Sequence, residues 1–164
     1  AILFITFITF INVIFVSYLS FIITKKNSYA FLAGLLYLFL PSVILYQNIF
    51  STEHIAITLI ITSMILFIIF ENKFTVRKPT NNVLLALILG ITLSFLKFFK
   101  PVSIIIIIAF LIYYIFYKVL YIKIKTVNYF KILCLLSMIF AYSITNLFVF
   151  NYIDSLVGER VNRN

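Results

Sequence analysis

The chain has 164 residues, of which 65% are hydrophobic and only 10% are charged, and its mean hydropathy is +1.22. A soluble domain of average composition carries about 25% charged residues, so this sequence has too little polar surface to cover a water-soluble globule. The common soluble-enzyme motifs are absent from the sequence: it has no P-loop, no dinucleotide-binding glycine pattern, no zinc-protease helix and no paired cysteines.

Six apolar segments follow one another along the chain, at residues 2–23, 29–46, 55–70, 83–99, 102–117 and 129–150. Backbone polar groups must be bonded internally in lipid, so apolar runs of this length form helices. A bilayer core about 30 Å thick needs about 20 helical residues, so each of the four middle segments either includes flanking residues or only dips into the membrane. We predict an all-α polytopic bundle of about six membrane-spanning helices over residues 1–150. Residues 151–164 are expected to start an external loop.

Basic residues are concentrated on alternate connections, in or beside residues 24–28, 71–82 and 118–128. Nine of the 13 lie there, namely Lys25, Lys26, Lys73, Arg77, Lys78, Lys118, Lys123, Lys125 and Lys131, and the others are Lys97, Lys100, Arg160 and Arg163. By the positive-inside rule these three connections face the cytoplasm. The prediction is a multi-pass protein of the cell membrane with both ends of the chain outside. The net charge of +9 is then a topology signal and a contact with anionic lipid, so the expected partner is the bilayer and no nucleic acid.

The two ends of the sequence indicate missing neighbours. The chain opens on Ala1, already inside a hydrophobic run, and closes on the polar stretch Gly158–Asn164. We therefore expect an internal fragment of a larger protein; the alternative is a natural protein trimmed by a few residues.

Two polar groups stand on the predicted outer face, one at residues 41–54 and one at residues 90–101. Their notable residues, in chain order, are Pro41, Tyr46, Thr52, Glu53, His54, Gly90, Lys97, Lys100 and Pro101. A Pro, then a Tyr, then Thr-Glu opening a helix, followed later by a Gly, apolar residues and Lys-Pro, resembles the membrane-embedded glycosyltransferases of the GT-C superfamily. The branch that it resembles contains protein O-mannosyltransferases and lipid A aminoarabinose transferases, and the likeness covers roughly residues 20–117.

The resemblance implies an enzyme that takes a sugar from a polyprenyl-phosphate donor and transfers it to an acceptor on the outer side of the membrane. The defining acidic pair of that family lies in its first external loop, and this chain has no such pair. The resemblance therefore maps the chain onto helices two to seven, with the main catalytic carboxylates upstream of Ala1. The segment alone is expected to be inactive.

Within the two polar groups, Glu53 is the candidate catalytic residue, because an ionisable side chain near a membrane segment is a functional candidate by default. Lys100, Lys97 and His54 are the candidate substrate-binding residues, since a lysine is a compact charge suited to the donor phosphate. No cofactor and no metal site is predicted, although Glu53 and His54 together are one arrangement that can hold a divalent metal.

Each of these residues also has a purely structural interpretation. Glu53 suits a helix N-terminus, where the partial charge is positive, with Ser51 or Thr52 as the cap. His54 suits the polar interface, and Lys97 and Lys100 suit lysines that extend to the lipid headgroups. Two other functions also fit the composition: a six-helix small-molecule transport subunit, and a non-catalytic lipid-flipping or polysaccharide-assembly protein.

The topology is tested by single-cysteine labelling in a Cys134→Ser background. A Thr75→Cys variant should resist a membrane-impermeant thiol reagent in intact cells and react after permeabilisation, because residues 71–82 are predicted to be cytoplasmic. Labelling of this position in intact cells would reverse the orientation.

Overall fold

A computed structural model describes residues 2–40, 43, 52–73, 79–113 and 129–161, and these residues are helical apart from short turns. The helices are α1 (Ile2–Thr24), α2 (Asn27–Leu38), α3 (Thr52–Lys73), α4 (Pro79–Phe99), α5 (Ser103–Ile112) and α6 (Tyr129–Val161). The described part of the chain contains no strand. The predicted all-α helical fold is confirmed.

Four of these helices are long and apolar enough to cross a bilayer, over Leu3–Thr24, Thr52–Glu71, Asn81–Phe99 and Ile132–Val149. At 1.5 Å per residue, 18 to 22 residues span about 27–33 Å, the thickness of a hydrocarbon core. The chain is thus built as a multi-pass helical membrane protein. Two further predicted crossings, 29–46 and 102–117, coincide with α2 and α5 but run into residues outside the described ranges, so they stay predictions.

The outward surfaces of the helices are apolar. Phe7 and Phe10 on α1 and Phe140 and Phe148 on α6 are each between 61% and 74% exposed. Soluble proteins rarely expose large contiguous apolar patches, whereas a hydrocarbon surrounding carries no such penalty. These exposed faces fit a lipid environment.

The last helix is longer than its apolar run. The predicted segment stopped at residue 150 with a loop from 151, whereas α6 continues to Val161. Asn151 and Asp154 are polar but are tolerated in a helix, and no Gly or Pro interrupts the chain before Gly158. The end of hydrophobicity therefore does not mark the end of this helix, and residues 162–164 lie outside the described ranges.

The chain divides into two compact units, of which the first comprises Ala1–Lys73 and Leu96–Val102. In this unit α1 packs against both α2 and α3. α1 ends in a tight reversal at Lys25, whose φ of 57° is the left-handed conformation common just after a helix. The Ser20 hydroxyl donates to the Tyr29 carbonyl across this reversal at 3.2 Å, so α1 and α2 run antiparallel.

α1 and α3 run parallel, and their contacts set the register between them. Asn12 Nδ2 donates to the His54 carbonyl at 3.4 Å, and ten residues later Ile22 packs with Ile61 and Ile65 in one buried cluster. Asn12 therefore lies level with the start of α3. Leu3, where the apolar span of α1 begins, is nine residues earlier, about 14 Å along the axis. α3 thus begins well short of the N-terminal end of α1.

The second unit comprises Phe74–Phe95 and Ser103–Asn164. Gly90 on α4 lies against the Met138 carbonyl of α6. A Cβ atom built on this glycine would be 3.0 Å from the Cβ of Ala141, which is also on α6. The Ser103 and Tyr142 hydroxyls are 3.4 Å apart and join α5 to α6. Cys134 is fully buried here, in agreement with its place in an apolar run.

We predict opposite outcomes for alanine at two helical glycines. In Gly90→Ala the new Cβ meets the Met138 backbone carbonyl, which cannot rotate away. Overpacking of this kind costs about 1–3 kcal/mol, so the free energy of unfolding should fall by that amount. In Gly34→Ala the new Cβ comes closest to the Ser17 hydroxyl, a side-chain atom that can turn aside, and it meets Val13 at ordinary van der Waals distances of 3.4 and 3.5 Å.

Because alanine is favoured over glycine in a helix by about 1 kcal/mol, Gly34→Ala should be neutral or stabilising. Unfolding in mixed micelles followed by circular dichroism measures both variants against wild type. Equal destabilisation of the two variants would contradict the assigned α4–α6 contact.

Candidate functional site

Glu53 occupies the first turn of α3. The helix begins at Thr52, and Glu53 is the acidic residue of that turn. The unbonded N–H groups at a helix N-terminus carry partial positive charge, which favours a carboxylate there. Of the two predicted caps, Ser51 lies outside the described residues and Thr52 is the first helical residue. The helix-terminus interpretation of Glu53 therefore describes its position, and it is compatible with a further contact of the carboxylate.

Lys100 lies at the C-terminal end of α4, whereas Glu53 lies at the N-terminal end of α3. Its N–H donates to the Leu96 carbonyl at 2.8 Å, which completes the last turn of α4. Pro101 follows and cannot continue the helical hydrogen-bond ladder. A cation is favoured at a helix C-terminus, where the partial charge is negative.

The two candidate residues form an ion pair within the first unit. Lys100 Nζ and Glu53 Oε1 are 3.0 Å apart, and their side chains are 44% and 46% exposed. Each charge complements its own helix terminus and also the other charge. The sequence predicted a separate role for each residue, and the structure shows that they form a single polar centre.

The ion pair lies toward the end of the unit opposite to Lys25 and Lys26. The parallel course of α1 and α3 puts the start of α3 level with Asn12, about 20 Å along α1 from the reversal at Lys25. The same register leaves Leu3 about 14 Å beyond that level on the other side. The pair is therefore recessed from the N-terminal end of α1, not level with it.

His54 differs from its neighbour in exposure. It is 4% exposed, and its carbonyl accepts hydrogen bonds from Asn12 and from the Thr58 hydroxyl, the latter at 2.8 Å. Consecutive helical residues point about 100° apart and do not face the same ligand. This geometry argues against a metal held jointly by Glu53 and His54. No group of three or more potential metal-ligating side chains occurs among the described residues.

Lys97 lies in the last turn of α4, three residues before Lys100, and is partly buried. It is on the same turn as the predicted phosphate-binding lysine, as expected from the spacing. Its predicted share in substrate binding stays a prediction.

Sequence reasoning missed a set of buried polar side chains in the same unit. Thr9 and Asn12 on α1 and Tyr37 on α2 are 3%, 0% and 8% exposed. Asn12 is the only amide in the apolar run of α1, and a polar residue inside a membrane span is itself a functional signal. That signal was available in the sequence, but the predicted site residues came from the segment ends.

No protein-family model, curated protein or solved structure matches the chain.

The ion pair is tested by a double-mutant cycle with Glu53→Gln, Lys100→Gln and the double variant. For a half-exposed pair we expect a coupling free energy of about 0.2–1 kcal/mol, which should decrease as salt is added. The measurement is the free energy of unfolding in micelles at two ionic strengths. A coupling of zero at low salt would show that the pair does not form.

Proposed function

We propose that this bundle provides the donor-binding end of a polyprenyl-phosphate-dependent glycosyltransferase that transfers a sugar to an acceptor on the outer side of the cell membrane. The observation that carries the proposal is the recessed Lys100–Glu53 pair. Glu53 is the second residue of one candidate span and Lys100 directly follows another. Ionisable side chains at the ends of membrane segments are candidates for a substrate site. The resemblance to the GT-C glycosyltransferases names the substrate class.

The proposed orientation places the ion pair toward the outside. Lys25 and Lys26 lie in the reversal after α1, and Lys73 ends α3, which runs parallel to α1. These lysines are therefore directed to the same side, and the positive-inside rule assigns that side to the cytoplasm. Glu53 and Lys100 then face the outer side, where the acceptor is expected.

In the proposed mechanism the donor phosphate exchanges with Glu53 as the partner of Lys100. The donor is a phosphate diester with one negative charge, so it replaces the carboxylate without a change in local charge. During transfer the bond from the sugar C1 to the phosphate oxygen breaks, and negative charge grows on the departing phosphate. A fixed Lys100 ammonium stabilises this charge more in the transition state than in the ground state.

Glu53, once released from Lys100, can accept a hydrogen bond from the acceptor hydroxyl. The acceptor oxygen forms the new bond to C1, and its proton passes to a carboxylate. The ion pair in the unliganded protein keeps both charges compensated. The same two residues thus serve the resting and the reacting state.

A transport subunit is the second candidate, and the observation that favours it is the set of buried polar side chains Thr9, Asn12 and Tyr37. Polar groups inside a bundle also suit the path of a polar solute. The two functions differ in their products, since a transferase joins the sugar to an acceptor and a transporter moves its solute unchanged.

The proposal predicts that donor use depends on the charge at position 100. In protein expressed from its complete gene and placed in nanodiscs, Lys100→Gln should raise the KM for donor about 10-fold or more and lower kcat. The reason is the loss of a charge-assisted contact, worth about 1.5–3 kcal/mol. Lys100→Arg should retain part of the activity because the charge persists, and Glu53→Gln should lower kcat more than it changes KM.

Lys26→Gln is the matched control, because it removes a lysine at the other end of the same unit and should leave both constants unchanged. Lys97→Gln shows whether the second lysine shares the phosphate. Wild-type KM and kcat in Lys100→Gln would overturn the phosphate role, and uptake of an unmodified solute without transfer would favour the transport subunit.

A further inference from the structure

A group of polar side chains lies inside the first unit, beside the ion pair and away from its surface. We call Thr9, Asn12 and Tyr37 the inner polar group. All three are less than a tenth exposed. Thr9 and Asn12 are three residues apart and therefore share one face of α1, and the Asn12 side chain lies beside the Tyr37 hydroxyl of α2.

Each member has a polar atom without a hydrogen bond of ordinary geometry to any described residue: Thr9 Oγ1, Asn12 Oδ1 and the Tyr37 hydroxyl. The orientation of Asn12 is fixed by its contact with the His54 carbonyl, because a carbonyl accepts only and must face the amide nitrogen. The amide oxygen therefore points elsewhere, as an acceptor. Buried polar groups are normally bonded, so three unbonded ones together require a reason.

The inner polar group adjoins the ion pair through the backbone. The Asn12 amide bonds to the carbonyl of His54, and Glu53 is the residue immediately before it. A ligand whose charged group lies at Lys100 would therefore extend its neighbouring atoms toward Asn12.

The chemistry of the inner polar group is uncharged. A hydroxyl of Thr9 both donates and accepts, the Asn12 oxygen accepts, and the Tyr37 hydroxyl both donates and accepts. Sugar hydroxyls also donate and accept, so they can bond to all three. A charged group would be buried there without a counter-charge from these three side chains, at high cost.

We infer that Thr9, Asn12 and Tyr37 bind the hydroxyl groups of the donor sugar while Lys100 binds its phosphate. This inference rests on the proposed function and assigns the sugar-binding part of the same site. The three side chains are covered in this structure, so donor binding includes a separation of α1 from α2 near these residues.

The test compares two probes, a polyprenyl phosphate and a polyprenyl-phosphate-linked hexose, by equilibrium binding to protein expressed from its complete gene in nanodiscs. Wild type should bind the hexose-bearing probe more tightly. Thr9→Val and Tyr37→Phe should each weaken binding of that probe about 3- to 10-fold, the effect of one lost hydrogen bond. They should leave the affinity for the polyprenyl phosphate unchanged.

These two substitutions nearly preserve shape, and the oxygens that they remove make no hydrogen bond of ordinary geometry to a described residue. They should therefore keep or raise the melting temperature, which separates lost binding from lost folding. Thr62→Val is the matched control, because its hydroxyl bonds within α3 to the Thr58 carbonyl at 2.7 Å. It should bind both probes as wild type does.

Wild-type binding of the hexose-bearing probe by Thr9→Val and Tyr37→Phe would overturn the inference and leave the proposed function standing. Equal weakening for both probes would also overturn it, since that indicates a structural role. If wild type binds neither probe, the inference and the proposed function fail together.

Discussion

The register between α1 and α3 is the constraint on which the candidate site depends. The Asn12–His54 contact and the buried isoleucines at 22, 61 and 65 align the two helices in parallel, with α3 beginning about 14 Å short of the N-terminal end of α1. This offset recesses Glu53 below that end. Lys100 lies at the same level, and its ammonium is 3.0 Å from the Glu53 carboxylate.

Helix termini reinforce the same arrangement. Glu53 lies in the first turn of one helix and Lys100 just beyond the last turn of another, so each charge is favoured by its own helix before the two meet. The local sequence thus places each charge at its own helix end, whereas the contact between the two charges requires tertiary packing. Because the pair is half-exposed, neither charge is enclosed by the surrounding helices.

The sequence predicts the helices well because lipid leaves few alternatives. Long apolar runs must satisfy their backbone internally, and α1, α3 and α4 follow the predicted segments closely. The end of α6 was missed because helical hydrogen bonding continues through polar residues such as Asp154. The Lys100–Glu53 contact could not be predicted, because 47 residues separate the two members of the pair. The burial of Thr9 and Tyr37 could not be predicted either, because uniformly apolar runs have no clear periodicity that shows which face of a helix is buried.

The most direct test of this account is a set of distances between spin labels in nanodiscs. Labels at Thr52 and Pro101 adjoin the two members of the ion pair, and a label at Lys26 marks the opposite end of the unit. The account predicts a short Thr52–Pro101 distance and a Thr52–Lys26 separation of about 20–25 Å, from the helical rise between those levels. A label at Pro101 lying closer to Lys26 than to Thr52 would contradict the assigned register and the site built on it.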